Sequence, residues 1–290
     1  MTTPARWISG RQFFAPLHRA VFGAVSLGSA RVAGARFREV DRGGVSCLSV
    51  EGSFAEGGGL VLFFHGGGYM AGGMSTHRNG VAYLCRAANM RGLVPGYRRT
   101  PENGWPAAVD DAFAVYEAEL AEGTDPGRVA VCGDSAGGGL ALALCLRLRE
   151  RGLSLPGALY LLSPWVDLVR FEKSHTFART GRRTPLDWSL EALAVLYARD
   201  EDLCHPEISP LYADLAGMPP MLVQAGTNEI MRDDARRLSR KAEECGVEVR
   251  FEPYPGPVHV LPFFTRVSGP GRELLGRGGE FIREKTGANP

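Results

Sequence analysis

The chain has 290 residues, of which 44% are hydrophobic, so it can bury a substantial core in one or two domains. Its formal net charge of +1 near neutral pH argues against nucleic acid or an anionic membrane surface as a partner. No run approaches the ~20 apolar residues of a spanning helix, and the N-terminus lacks a signal-peptide pattern, so we expect no membrane span and no secretion.

The six cysteines are scattered along the chain without CxxC spacing and without a neighbouring histidine cluster, which argues against a structural zinc site. Several lie in apolar runs, where a free thiol behaves as a small hydrophobic side chain. We therefore expect reduced, structural cysteines, a cytoplasmic location and no metal. The six are Cys47, Cys85, Cys132, Cys145, Cys204 and Cys245.

The elements begin with two segments of different character. Residues 1–35 carry scattered aromatic side chains and fit no strand pattern, so we read them as part of a helical cap rather than a loose tail. The runs Phe37–Asp41 and Val45–Val50 follow, joined by a short turn that contains Gly43 and Gly44. This arrangement predicts a β-hairpin at one antiparallel edge of a sheet.

Four short apolar runs, each bounded by turn residues, predict strands that are buried on both faces, as in a parallel sheet. They are Leu60–Phe64, Val129–Cys132, Ala158–Leu162 and Met221–Gln224. Segments with helical spacing lie between or after them, at 105–122, 136–151 and 232–245. Strands that alternate with helices predict an α/β fold, a mostly parallel central sheet with helices on both faces.

The first motif follows the strand Leu60–Phe64 and reads His65-Gly66-Gly67-Gly68. Consecutive glycines leave backbone N–H groups unshielded, and acyl transfer needs such donors around the oxygen that becomes negative in the tetrahedral intermediate. Alone, the motif could equally be a flexible turn. We interpret His65 as a residue that organises the loop and not as a catalytic base.

The second motif, Gly133-Asp134-Ser135-Ala136-Gly137-Gly138, lies between a predicted strand and a predicted helix. This is G-x-S-x-G in the strand–turn–helix context that a nucleophilic serine requires. Its glycines allow a tight turn, and the helix N-terminus favours developing negative charge near Ser135. The N–H of Ala136 would complete the oxyanion hole.

Residues 166–208 contain a basic segment and then a helix-like one, and we interpret them as the second cap element of a single domain that spans residues 1–290. After them, the strand Met221–Gln224 leads into a loop with three acidic candidates for a catalytic triad, Glu229, Asp233 and Asp234. Position favours Glu229, because the two aspartates would begin the next helix, where carboxylates cap. Three histidines follow Ser135, and only His259 lies on a loop after the last strand-like run.

These motifs together resemble the hormone-sensitive-lipase-like family of bacterial esterases. The resemblance extends from about Gly59 to Phe264 and also includes Tyr97-Arg98-Arg99-Thr100-Pro101-Glu102, Leu162-Ser163-Pro164-Trp165 and Ile208-Ser209-Pro210-Leu211. It implies the α/β-hydrolase fold with a helical cap, a Ser–acid–His triad and an oxyanion hole formed by Gly67, Gly68 and Ala136. The family acid lies about thirty residues before the histidine, which fits Glu229, although many members have aspartate there. Asp233 stays the alternative.

The chain departs from the family pattern at Pro95-Gly96, where relatives continue a strand; since proline cannot donate to a sheet, this strand is expected to end early or bulge. The resemblance implies a serine carboxylesterase for short acyl esters with no cofactor. Alternatives are a deacetylase or acyltransferase acting on a small metabolite, a lyase with a remodelled hole, and a ligand receptor without catalysis. A homodimer stays open. Candidate pocket residues are Phe13, Phe14, Tyr69, Met70, Trp188 and Tyr197.

Overall fold

The computed structural model describes residues 19, 30–171, 185–263, 266 and 268–288. Within these residues, eight strands form one sheet in the order β1-β2-β4-β3-β5-β6-β7-β8. The strands are β1 (Arg36–Arg42), β2 (Val45–Glu51), β3 (Leu60–Phe64), β4 (Arg91–Pro95), β5 (Val129–Asp134), β6 (Ala158–Leu162), β7 (Met221–Gly226) and β8 (Val249–Tyr254).

The sheet is antiparallel at one edge and parallel elsewhere. β1 and β2 form the predicted hairpin, and β2 pairs antiparallel with β4, where Cys47 lies opposite Pro95. β4 ends at Pro95, and the next N–H, that of Gly96, donates to the Ser46 carbonyl at 2.9 Å. From β4 to β8 every pairing is parallel. The carboxyl ends of these strands therefore meet at one edge, where α/β proteins bind ligands.

Six α-helices accompany the sheet in the described part of the chain. They are α1 (Met74–Ala88), α2 (Ala107–Ala121), α3 (Ala136–Glu150), α4 (Pro185–Ala198), α5 (Arg232–Glu244) and α6 (Gly269–Thr286). Buried side chains of α1 and α6 pack on one face of the sheet, and those of α2, α3 and α5 pack on the other. Because both faces are covered, β3, β5, β6 and β7 are buried along their whole length.

The predicted α/β fold class is confirmed, and β3 and β6 have the predicted bounds. α1 and α6 were not among the predicted helices, and α2 begins at Ala107 rather than at Trp105. None of the helices described by the structure is long and apolar enough to span a bilayer.

The two cap segments fall partly outside the described residues. Most of 1–35 lies outside them, and so do residues 172–184 of the second segment. The described part of the second segment contains α4, whose Leu193 and Tyr197 are buried against the loop that follows β3. The cap as a unit, and the single domain over 1–290, remain predictions.

Candidate active site

Ser135 lies on the turn between β5 and α3 in a strained backbone conformation. Its φ of 52° and ψ of −121° are rarely adopted by a residue with a side chain. The turn is fixed from β6, because the Ser135 N–H donates to the Leu162 carbonyl and the Trp165 N–H donates to the Ser135 carbonyl, both at 2.9 Å. A Cβ atom at Gly133 would overlap the Gly137 carbonyl, so glycine is required for so tight a turn.

The loop after β3 presents backbone N–H groups next to this turn. Gly67 and Gly68 have φ values of 122° and 61°, which glycine adopts at low cost. The Gly67 carbonyl accepts the N–H groups of Met70 and Ala71 at 3.1 and 2.8 Å. The N–H groups of Gly67 and Gly68 donate to no other residue in the part of the chain that the structure describes. Ala136 is the first residue of α3, where an N–H has no acceptor within the helix.

Asp134 joins the serine turn to this glycine loop. Its Oδ1 accepts the Gly66 N–H at 2.8 Å and lies 3.2 Å from Nε2 of His77 on α1. Burial raises the pKa of the Asp134 carboxyl, but His77 and the Gly66 N–H outweigh it, so the net pKa is below its ordinary value. A charged Asp134 therefore holds both loops in register.

His65 is wholly buried and stacks on Tyr97 at 4.2 Å between ring centroids. Its carbonyl accepts the Tyr97 hydroxyl at 2.6 Å. Burial, together with the neighbouring His77, lowers the pKa of His65 to about 3, so its ring is neutral at physiological pH. The neutral His65 ring, packed on Tyr97, therefore anchors the start of the glycine loop in the core.

Glu229 and His259 form a close pair on the loops after β7 and β8. His259 Nδ1 lies 2.5 Å from Glu229 Oε2. The Glu229 carboxylate also accepts the N–H groups of Gly226 at 3.2 Å and Met231 at 3.4 Å. Burial raises the pKa of Glu229, but its contacts with His259 and Ser163 lower it by more. The net pKa is below its ordinary value, so the carboxylate stays ionised.

The His259 ring remains accessible from the strand-end edge, with 29% of its side chain exposed. Burial lowers its pKa, but the hydrogen bond and charge of Glu229, with the charge of Asp134, raise it above its ordinary value. This is the electrostatic setting of a general base that must carry a positive charge during reaction.

The other acid and histidine candidates lie elsewhere. Asp233 is 53% exposed and pairs with Arg236 at 3.7 Å on the first turn of α5. Asp234 is buried and accepts the N–H groups of Val166 and Asp167, each at 3.1 Å. His205 packs on Trp105, and His175 lies outside the described residues. Among the residues with described positions, no group of three or more His, Cys, Asp or Glu side chains could hold a metal ion.

The candidate pocket residues separate into three groups. Tyr69 stacks on Tyr197 of α4 with centroids 3.6 Å apart and planes 6° apart, and both are buried. Met70 is also buried, whereas Trp188 is 46% exposed on the other side of α4. Phe13 and Phe14 lie outside the described residues.

Leu193 of α4 lies directly beside the glycine loop and was not among the predicted pocket residues. A Cβ atom built on Gly68 would lie 2.7 Å from Leu193 Cδ1. Leu193 stands four residues before Tyr197, so one face of α4 presents both side chains to the loop after β3. This helical spacing was the available signal.

Comparison with known proteins identifies the family to which the chain belongs. A family model described as the α/β-hydrolase fold matches residues 61–263. The chain is 42% identical over 231 residues to an acetyl-hydrolase of Streptomyces hygroscopicus, covering 79% of this chain and 77% of that protein. It is 36% identical over 210 residues to an esterase of Acinetobacter venetianus, covering 71% of this chain and 68% of that protein.

A solved structure of an esterase from the bacterial hormone-sensitive lipase family superimposes with a TM-score of 0.86 at 36% identity. The match covers 92% of this chain and 90% of that one. The predicted family resemblance is thereby confirmed. The chain belongs to the α/β-hydrolase fold family and, within it, is a carboxylic ester hydrolase of the hormone-sensitive-lipase-like group.

Proposed function

We propose that the protein hydrolyses short-chain acyl esters through an acyl-enzyme on Ser135, with His259 as general base and Glu229 as its partner. The observation that carries this proposal is the 2.5 Å contact between His259 Nδ1 and Glu229 Oε2 at the strand-end edge. Ser135 is presented at the same edge by its strained turn, since β5, β7 and β8 end there.

In this mechanism, Ser135 Oγ attacks the ester carbonyl while Nε2 of His259 takes its proton, and Glu229 stabilises the imidazolium through Nδ1. The N–H groups of Gly67, Gly68 and Ala136 bind the resulting oxyanion. The intermediate collapses, and the leaving alkoxide takes the proton from His259. A water then gives a proton to His259 and attacks the acyl group. Collapse releases the carboxylic acid and returns the proton to Ser135.

The preference for short acyl groups is supported by α4, which restricts the space around the glycine loop. Leu193 occupies the position just outside Gly68, and the buried Tyr69–Tyr197 stack closes the adjoining space. The Streptomyces relative is named as an acetyl-hydrolase, which points to the same end of the chain-length range.

The first test is hydrolysis of p-nitrophenyl acetate, butyrate, octanoate and decanoate by the purified protein, with Ser135→Ala in parallel. We expect strong activity on acetate and butyrate that falls with longer chains and disappears in the variant. Activity that survives Ser135→Ala would overturn the proposed nucleophile, and equal activity on decanoate would overturn the chain-length preference. Circular dichroism of the variant controls for misfolding.

A second candidate is removal of an acetyl group from a small metabolite, or its transfer to an alcohol, by the same residues. The acetyl-hydrolase relative favours this reading. Activity on aryl esters would be common to both candidates, so the deciding quantity is kcat/KM. An acetylated metabolite with a far higher kcat/KM than p-nitrophenyl acetate would favour the specialised reaction.

A further inference from the structure

The loop that carries His259 is held by one buried phenol. Tyr254 is the last residue of β8 and is 3% exposed. Its hydroxyl donates to the Val258 carbonyl at 3.3 Å and accepts the Leu261 N–H at 3.3 Å. The two loop groups lie on either side of His259, so the phenol fixes the loop at both flanks of the imidazole.

This loop needs such support because its backbone is strained. Val260, directly after His259, has a φ of 52°, and a β-branched side chain strongly disfavours that region. A residue in this conformation persists only where surrounding contacts determine it. The Leu261 N–H bond to Tyr254 comes immediately after the strained residue and is such a contact.

The same phenol reaches the Glu229 side of the pair. Its oxygen lies 3.3 Å from Ser163 Oγ, and the Ser163 hydroxyl lowers the pKa of the Glu229 carboxyl. With the Ser163 proton toward Glu229, the single phenol proton is shared between Ser163 Oγ and the Val258 carbonyl, each 3.3 Å away. The Tyr254 ring and the Glu229 side chain both lie against Gly226, because a Cβ atom at Gly226 would lie 3.1 Å from each of them. The Tyr254 hydroxyl therefore contacts the loop that carries His259 and also Ser163, which lies on the Glu229 side.

We infer that Tyr254, together with Ser163, is a positioning residue that holds His259 and Glu229 in register for proton transfer. The inference rests on the proposed triad. Neither hydroxyl is a group that reacts; their effect reaches the substrate only through the imidazole and the carboxylate. Loss of the phenol oxygen should therefore slow chemistry without weakening substrate binding.

The test compares Tyr254→Phe with the wild-type protein on p-nitrophenyl acetate. We expect kcat to fall about 10-fold with KM changed less than about twofold, because a small misplacement of a catalytic group is costly. In this variant the contact between Glu229 and His259 is looser, so the pKa of His259 should be lower than in the wild-type protein. The acid limb of kcat/KM should therefore move to lower pH. The other charged group that faces His259, Asp134, is unchanged in this variant.

A double-mutant cycle with Ser163→Ala separates positioning from general destabilisation. If both hydroxyls act through one network, the double variant should lose scarcely more kcat than Tyr254→Phe alone, whereas independent effects would multiply. Tyr116→Phe is the matched control, because it deletes a buried hydroxyl that donates to the Ser154 carbonyl at 3.0 Å, before the amino end of β6 and thus away from the strand-end edge. That control should keep kcat and the pH profile.

Ser135→Ala in the same series keeps the two proposals distinct. Activity retained by Ser135→Ala would overturn the proposed function. An inactive Ser135→Ala with wild-type kcat and pH profile in Tyr254→Phe would overturn only the positioning inference. Should Tyr254→Phe fail to fold, Ser163→Ala alone must lower kcat at unchanged KM, and an unchanged kcat there would overturn the inference.

Discussion

Glu229 and Asp233 lie one helical turn apart in sequence but in opposite environments. Glu229 is 5% exposed and meets His259, whereas the Asp233 side chain is 53% exposed and faces Arg236. The difference arises because Glu229 stands on the loop after β7, while Asp233 stands in the first turn of α5, where carboxylates favour the helix N-terminus. A negative charge at position 229 should therefore contribute far more to activity than one at position 233.

Glu229→Gln tests this difference. The variant keeps the shape of the side chain but removes the charge, so kcat should fall by about 10³–10⁴-fold, as is typical when a triad acid becomes an amide. Asp233→Asn is the matched control, and its kcat should stay within about twofold because surface ion pairs contribute little. The measurement is steady-state hydrolysis of p-nitrophenyl acetate. Equal losses in both variants would contradict the assignment of Glu229.

The pH profile gives a second measure of the same pair. His259 acts as a base only when deprotonated, so kcat/KM falls as the pH drops through its pKa. Since Glu229 raises that pKa above the ordinary 6.5, the wild-type acid limb should have its midpoint above 6.5. In any residual activity of Glu229→Gln, the midpoint should move to lower pH. A wild-type midpoint below 6.5 would argue against the ion pair.

At the scale of the element, α4 shapes the site by lying over the glycine loop. Leu193 is 7% exposed beside Gly68, while Val195 is 45% exposed on the opposite side of the same helix. The two side chains are two residues apart and so point in nearly opposite directions. α4 therefore has one face toward the glycine loop and one face away from it.

Leu193→Ala should widen the range of accepted acyl chains. Removing the side chain frees room for two or three methylene groups, each worth ~0.8 kcal/mol when buried, so the octanoate-to-acetate ratio of kcat/KM should rise about tenfold or more. Val195→Ala, with a similar truncation on the outer face, should leave the ratio unchanged. The p-nitrophenyl ester series measures both. A ratio that rises equally in the two variants would show that α4 loosens as a whole.

The sequence predicted the elements whose local pattern agrees with their environment. β3 and β6 are continuous apolar runs because both faces of the sheet are covered, and they were predicted to the residue. α6 was missed because it contains Gly278 and Gly279, which disfavour helix. The structure requires them, since a Cβ atom at Gly278 would lie 2.6 Å from the Tyr160 ring. Only the packing of α6 on the sheet reveals that requirement.

The residues of the candidate site likewise fall into those that a local sequence pattern predicts and those that only the folded structure reveals. Ser135, the glycine loop and His259 stand in short motifs or in a fixed chain order, so sequence alone pointed to them. The contacts of Tyr254, Ser163 and Leu193 join residues far apart in the chain, such as Ser163 and Tyr254, which are separated by 91 positions. No local pattern records such a contact, and it emerges only when β6 and β8 end at the same edge of the sheet.

At the scale of the whole molecule, a buried carboxylate ties the antiparallel edge to the rest of the domain. Glu119 on α2 is 1% exposed. Its carboxylate accepts hydrogen bonds from the guanidinium groups of Arg42 on β1 at 2.9 Å and Arg91 on β4 at 2.5 Å, and from the Thr124 hydroxyl at 2.9 Å. Burial raises the pKa of Glu119, but the two arginines and Thr124 outweigh it, so the net pKa is lowered.

A lowered carboxyl pKa makes the folded state more stable at neutral pH, where the carboxylate is ionised in both states. This stabilisation is present above the unfolded-state pKa and is lost as the pH falls through the folded-state value. Glu119→Gln should therefore reduce the free energy of unfolding at pH 7 by about 3 kcal/mol, since it breaks a buried ion pair. The deficit relative to wild type should begin to shrink as the pH falls below the ordinary glutamate pKa of about 4.3, and it should vanish below the lowered pKa of folded Glu119.

Urea unfolding of both proteins between pH 3 and 7 measures this difference. Glu122→Gln is the control, because Glu122 also contacts Arg42, at 3.3 Å, but is 56% exposed. It should change the free energy of unfolding by less than about 1 kcal/mol at every pH, as exposed ion pairs do. A deficit in Glu119→Gln that stayed constant with pH would mean that the glutamate stabilises the edge through packing and not through its charge. The antiparallel edge would then be held by the β2–β4 pairing and its apolar contacts rather than by an ionic bridge.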